Sequence, residues 1–298
     1  MGGIEKSRGI AFAIAAASSY ALVPNLVRAA YVAGVPALEA VCTRTAVVAV
    51  VLFFLARTRK IPFNIPKAAW PSFALMFLAT LAVSTCYLSS VQFISVGMAV
   101  TLFYTFPVII AVTSPLLEGS RPSGLLLGLA TLTFIGLVLA IGPAFSGLDW
   151  RGVALAIASA FACALQFFSG RMLSRHMQPA AFGSLIHILL LPVVIAIMLY
   201  AGGGDVQLTQ FPPISLPVIS VLCMALAYCA GYFFHMSAVN NAPSNVVAPY
   251  FNLEPVLTIV IATLFLGEKL GLVQLAGITL VIIALIAVNR TEDKRALA

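Results

Sequence analysis

This chain has little charge. Of its 298 residues only 8% are Asp, Glu, Lys or Arg, while 62% are hydrophobic and the mean hydropathy is +1.09. A soluble domain of ordinary composition carries about 25% charged residues. With so few, no water-soluble fold of this length could cover its surface, and the excess apolar area must face lipid. Secreted, fibrous and disordered classes are excluded with it. Metal-ligand spacings are also missing: the five cysteines stand in apolar runs without a CxxC pair, so they read as small packing residues and imply no metal, cofactor or disulfide framework. No P-loop and no HExxH is present. An ATP-driven pump acting alone and an intramembrane metalloprotease therefore drop out, and the chain is not read as an enzyme. A mid-span Lys, which a retinal-type receptor would need, is absent too.

What is present is length in apolar runs. A bilayer-crossing helix takes roughly 20 mostly apolar residues. Ten such stretches can be drawn, near 9–30, 36–56, 68–91, 95–117, 124–145, 150–173, 180–201, 212–238, 243–267 and 270–289. They leave no room for a soluble domain. The runs lack the alternation of a membrane barrel. The expected fold is therefore all-α and integral to the membrane.

A repeat divides the ten spans. RGIAFAIAAASSYALVPNLVR (8–28) aligns without gaps to RGVALAIASAFACALQFFSGR (151–171), with ten identities in 21 positions. The same offset of 143 carries Pro36 onto Pro179 and Arg44 onto His187. Farther on, an offset of 148 lays residues 89–108 over 237–256, so that Pro107 meets Pro255. The chain reads as two five-helix units, 1–147 and 148–298. The second copy also argues that the opening segment, which mimics a signal peptide, is a retained span.

The +7 net charge reports orientation, not a nucleic-acid partner, because the basic residues are scattered. With a cytoplasmic N-terminus, twelve basic residues fall inside (Lys6, Arg8, Arg57, Arg59, Lys60, Lys67, Arg121, Arg171, Arg175, Arg290, Lys294 and Arg295) and three outside (Arg28, Arg151 and Lys269). That bias places both termini in the cytoplasm. Five spans per copy then force the second unit into the membrane upside down. Inverted-topology repeats are a recurring construction of secondary transporters, with the substrate site near the midplane between the halves.

Ionisable residues inside spans are costly, about 2.5–3.5 kcal/mol each on insertion scales. Four sit deep: Arg44, His187, His235 and Glu254. Glu254 precedes Pro255, whose missing N–H disrupts the helix, and Pro249, Asn245 and Asn252 add polar, helix-disfavouring character. It reads either as a cavity-lining carboxylate that takes a substrate amine or proton, or as a neutral hydrogen-bonding group. Arg44 is read as a structural charge, paired with Glu39 or capping carbonyls. Spacing of three to four residues puts Gly97, Thr101 and Tyr104 on one helical face, with Asn245, Pro249 and Asn252 their counterparts. Tyr20 and Asn25 on the first span, Gln166 on the sixth, and Tyr87 opposite His235 complete the candidate substrate-binding set.

These residues resemble a known family. LEPVLTIVIATLFLGEKLGLVQLAGITLV (253–281) is similar to the Glu-Pro, Gly-Glu, Gly pattern of EamA-type units in the drug/metabolite transporter superfamily, with Glu254, Pro255, Gly267, Glu268 and Gly277 in place. CTRTAVV puts Arg44 at the family's basic position. The chain departs from the pattern at Tyr20-Ala21, at Phe106-Pro107 where Glu-Pro would stand, and at His187. Within the family it looks most like the YddG-type aromatic amino-acid exporters. The resemblance implies a multi-pass transporter of the bacterial inner membrane, plausibly monomeric, its partners a small-molecule substrate and the lipid bilayer, exporting amino acids by alternating access. Other small metabolites or lipophilic drugs are the alternative cargo, and a non-catalytic scaffold or channel the alternative class.

Overall fold

The computed structural model describes residues 3–32, 34–90, 93–94, 96–117, 123–141, 149–201, 215–266 and 271–297. Glu118, Arg121, Gly267, Glu268 and Lys269 lie outside the described residues, as do the side chains of Arg28, Arg290, Lys294 and Arg295. Every described element is helical. In chain order they are α1 (Gly3–Val32), α2 (Ala37–Thr58), α3 (Trp70–Ser90), α4 (Val96–Phe103), α5 (Phe106–Leu117), α6 (Gly124–Ile141), α7 (Trp150–Ser174), α8 (Pro179–Ala201), α9 (Leu216–Asn241), α10 (Ser244–Val247), α11 (Leu253–Leu266) and α12 (Leu272–Leu297). In lipid every backbone polar group must be satisfied within the protein, and continuous helices do this residue by residue.

Among the described residues, seven helices are long and apolar enough to cross a membrane alone: α1, α2, α3, α6, α7, α8 and α9. The expected fourth and ninth spans are broken, and in α12 the apolar stretch is the shorter segment Leu272–Ala287. A proline stands at each break. Pro107 and Pro255 cannot donate to the carbonyls of Phe103 and Phe251, four residues back. Between α4 and α5 the chain tightens, Thr105 N–H donating to Leu102 O at 3.2 Å. In the second copy the break is longer: α10 passes into a 3₁₀ turn over Ala248–Asn252 before α11 begins. Pro24 and Pro192, by contrast, sit inside unbroken helices.

Packing follows the sequence repeat. α1 lies along α9 and α3 along α7, two pairs that exchange when the copies are exchanged. α2 packs on α8 and α6 on α12, each pair joining equivalent helices. Without a hydrophobic force between helices in lipid, close approach depends on small residues. Gly9 illustrates this, since a Cβ there would collide with that of Ala242 at the end of α9. The largest buried cluster draws residues from both halves, including Leu52, Phe106, Phe167, Phe182 and Tyr232. α1, α3, the α4/α5 and α10/α11 breaks, α7 and α9 thereby surround a shared centre.

Candidate functional site

At that centre lies a cavity of about 530 Å³, within the usual range of about 300–1,000 Å³ for small-molecule sites. α1 contributes Tyr20, Val23 and Pro24; α3 contributes Val83 and Tyr87; α7 contributes Cys163, Gln166 and Phe167; and α9 contributes Tyr228 and His235. The two helix breaks supply Phe103, Tyr104 and Phe106 from one half and Phe251, Glu254 and Pro255 from the other. Many of these positions are equivalent in the repeat: Tyr20 with Cys163, Val23 with Gln166, Pro24 with Phe167, Tyr87 with His235, Phe103 with Phe251, and Phe106 with Glu254. The cavity is therefore built twice from one unit and lies where the two copies meet.

Aromatic rings form one wall. Phe167 stands 4.1 Å from the His235 ring and 5.0 Å from Phe251, between centroids, and His235 lies 4.6 Å from Phe251. Phe106 packs on Phe167 at 5.4 Å. Tyr20 packs on Tyr228 at 5.5 Å, and Tyr87 on Phe103 at 5.3 Å. Offset and edge-to-face arrangements at such distances contribute about 0.5–1.5 kcal/mol per pair beyond burial. The His235 Nε2 is buried among them without a hydrogen-bond partner among the described residues.

Polar groups punctuate this wall. Tyr20, Tyr87, Tyr104 and Cys163 share the cavity wall with Glu254. The Tyr104 hydroxyl reaches toward the Glu254 carboxyl, but no hydrogen bond of good geometry closes between them. Gln166 Nε2 donates to Thr80 Oγ1 at 3.0 Å, fixing its amide between α7 and α3. Thr258 Oγ1 is a short distance from Glu254 O (2.9 Å) and from Ala21 O (3.2 Å), tying α11 to α1.

Six of the nine substrate-binding candidates line the cavity: Tyr20, Tyr87, Tyr104, Gln166, His235 and Glu254. Three do not. Asn25 donates to Ala21 O and Thr258 O, both at 3.4 Å, and so bonds helix to helix. Thr101 is buried on α4 away from the wall. Asn252, the repeat counterpart of Tyr104, is buried and donates to Pro249 O at 3.0 Å within the 3₁₀ turn. Asn252 thus lies in the 3₁₀ turn, whereas Tyr104 lies just past the end of α4. Arg44, expected to pair with Glu39 or to cap carbonyls of another span, lays its guanidinium over the Tyr228 ring, 4.1 Å from the centroid, on the cavity wall. Sequence reasoning passed over Tyr228 and the phenylalanines. Tyr228 precedes His235 by seven residues, two helical turns on the same face, and Phe103 and Phe251 are repeat mates; both signals were in the sequence.

Comparison with known proteins accords with this arrangement. The chain is 29% identical over 235 residues to an uncharacterized transporter, sll1319, of Synechocystis sp., covering 77% of this chain and 69% of that one. It is 28% identical over 207 residues to the threonine/homoserine exporter RhtA of Escherichia coli, covering 69% of this chain and 66% of RhtA. The RhtA of Salmonella typhimurium aligns at 27% identity over 197 residues, covering 65% of this chain and 63% of that one. Thus the chain spans about two thirds of the length of these relatives. A solved crystal structure shares the fold at 13% identity, with a TM-score of 0.80 over 94% of this chain and 96% of its own. Residues 7–142 and 150–290 each match the EamA-like transporter family, and the chain, with two such units meeting at one cavity, belongs to that family.

Proposed function

We propose that this chain exports small neutral or amphiphilic metabolites, amino acids among them, by alternating access about the central cavity, without ATP. The observation that carries the reading is the cavity itself, walled by repeat-equivalent residues of both halves at two proline-broken helices. Such breaks at membrane depth are tolerated where the freed backbone lines a protein-enclosed or water-filled space. The RhtA relatives export threonine and homoserine, which supports amino acids as a cargo class. The aromatic wall suits apolar and aromatic side chains as well, so aromatic amino acids belong to the proposed range.

The topology we propose is ten crossings in two inverted units, 1–147 and 148–298, with both termini in the cytoplasm of a bacterial-type inner membrane. The broken helices and α12 supply the three crossings beyond the seven single helices. In that orientation the chain order puts Arg44, Tyr87 and Gln274 in the outer half of their spans and Phe167 and His235 in the inner half of theirs.

Reconstitution tests the reading. Flux into proteoliposomes should saturate with substrate, and a competition panel of the twenty amino acids and several cationic drugs should single out amino acids. Tyr104→Ala should raise the apparent KM while the protein stays folded. Non-saturating flux would make the chain a channel, and no flux of any solute would make it a scaffold. Reporter fusions after Arg59 and at the C-terminus should both read cytoplasmic.

A further inference from the structure

In an inverted arrangement each wall residue has a mate at similar depth on the opposite side, and here the mates differ in exposure. Phe106, Phe167, His235 and Phe251 are each exposed by 3% or less. Their mates in the repeat are Glu254, Pro24, Tyr87 and Phe103. Pro24 is exposed and the other three are half-buried. The same holds farther along the wall: Val100 and Thr258 line the cavity half-buried, whereas their mates Ala248 and Ile110 are fully buried. Glu254 and Phe106 stand at the helix breaks. In each of the other pairs, chain order in the proposed orientation places the accessible mate in the outer half of its span and the buried mate in the inner half.

Helix packing is one-sided in the same sense. α1 lies along α9 and α3 along α7. Gly9 closes on Ala242 at the inner end of the first pair. Its mate Gly152 closes on Ile94 at the outer end of the second, where a Cβ would stand 2.8 Å from Ile94 Cγ2. Both of these joints are shut. The two helix pairs meet each other through α7 and α9. Among the described residues, α1 and α3, the equivalent couple, make little or no contact. Toward the inner end of α7, a Cβ on Gly170 would stand 3.0 Å from Met236 Sδ and 3.5 Å from Val239 Cγ2. Arg171 beside it donates to Val239 O at 2.9 Å. One turn earlier on α7, Phe167 packs on His235 with 4.1 Å between centroids.

Resting on the transport reading and orientation above, we infer that the closure of α7 on α9 is the cytoplasmic gate of the cavity. Phe167 and His235, flanked by Phe106 and Phe251, seal it, and Arg171 latches α7 to the end of α9. The pairs α1/α9 and α3/α7 are the two bodies that rock to open it. The structure is then the outward-open state. Exchanging the conformations of the two copies gives the other state, as inverted repeats allow. In it the latch to Val239 is broken and α1 closes on α3, Pro24 meeting Tyr87 as Phe167 now meets His235. Of the four outer mates only Tyr87 and Phe103 carry aromatic rings, so the outer seal makes fewer ring contacts and the substrate-free protein rests open to the outside.

Thiol labelling and a crosslink test the gate. In a chain whose five cysteines are replaced by alanine, Val23→Cys puts a thiol on the half-buried outer part of the wall. A charged, membrane-impermeant methanethiosulfonate should label it at least about tenfold faster from the outer side of vesicles than from the cytoplasmic side, where only a minor state admits the reagent. Adding Phe167→Ala should remove most of that difference by speeding the cytoplasmic reaction. Arg171→Ala should speed it less, because the ring layer remains. Labelling of Val23→Cys that is equal from both sides, or faster from the cytoplasm, overturns the proposal, and so does a folded Phe167→Ala protein with unchanged cytoplasmic labelling. The crosslink needs no weakened core. Gly170→Cys with Val239→Cys, in the same background, should lose flux when oxidised to a disulfide and regain it on reduction. Saturable flux that continues through the fully crosslinked protein overturns this inference alone. A parent that moves no solute overturns the functional reading and the gate with it.

Discussion

The contact between α6 and α12 supplies a prediction that can be graded within one interface. A Cβ at Gly277 would collide with the backbone N of Ala140, and would stand 2.6 Å from Gly136 O and 2.8 Å from the carbonyl carbon of Leu139. All three are backbone atoms of α6, which cannot rotate aside, so Gly277→Ala must push the helices apart. Restoring ordinary contact requires a separation of about 0.5–1 Å, which forfeits a quarter to a half of the well depth, about 0.1–0.2 kcal/mol for each atom pair. Over a few tens of pairs the cost is about 1–3 kcal/mol, the usual range for overpacking. In lipid no hydrophobic gain offsets that loss, because helix association rests on such packing. At Gly136 the added carbon would meet Gly277 O and two Val281 atoms at 3.0 Å, so a shift of a few tenths of an ångström suffices and about 0.5–1 kcal/mol is expected. Gly128 on the same helix has nothing within 4 Å, and Gly128→Ala should be neutral. Thermal melting of the three purified variants in detergent should rank Gly277→Ala least stable, then Gly136→Ala, then Gly128→Ala at the parental value. A Gly277→Ala protein that melts with Gly128→Ala would refute the packing argument.

Other perturbations follow from single contacts. Gly231→Ala would place a carbon 2.6 Å from Tyr20 Cδ1 and Cε1; the ring must turn within the cavity, so flux assays should show a raised KM with a near-parental melting temperature. Gln166→Leu removes the 3.0 Å bond from α7 to Thr80 while Thr80 still donates to Met76 O at 2.8 Å, so melting should register a loss of about 0.5–1.5 kcal/mol. Arg171→Ala loses the 2.9 Å bond from its guanidinium to Val239 O near the end of α9; a charged donor of this kind contributes about 1.5–3 kcal/mol, and Arg171→Lys should recover part of it in the same assay.

Composition and period by themselves determined the class of this protein. With 8% charged residues there is no physical alternative to lipid around it, and the ungapped offset between residues 8–28 and 151–171 sets out two equivalent units. Pro107 and Pro255 stand at both helix breaks, where a missing N–H leaves a carbonyl unpaired, although Pro24 and Pro192 are held within continuous helices. Tyr20, Tyr87, Tyr104, Gln166, His235 and Glu254 could be placed near the centre on the same grounds, since polar groups at depth must find partners or a cavity. What tertiary structure alone decided was which way each polar group turned. Asn25 and Asn252 were as plausible as Tyr104, but their amides meet backbone carbonyls presented by α1 and α11 and by the 3₁₀ turn, and only packing sets those distances. Arg44 was read as paired with Glu39 or capping carbonyls of another span. Instead α9 presents Tyr228 beneath the guanidinium, 184 residues away in sequence. Periodicity fixes a residue's face on its own helix, whereas the partner depends on how helices from opposite halves cross, and that is set by small residues such as Gly231 against Tyr20 and Gly277 against α6.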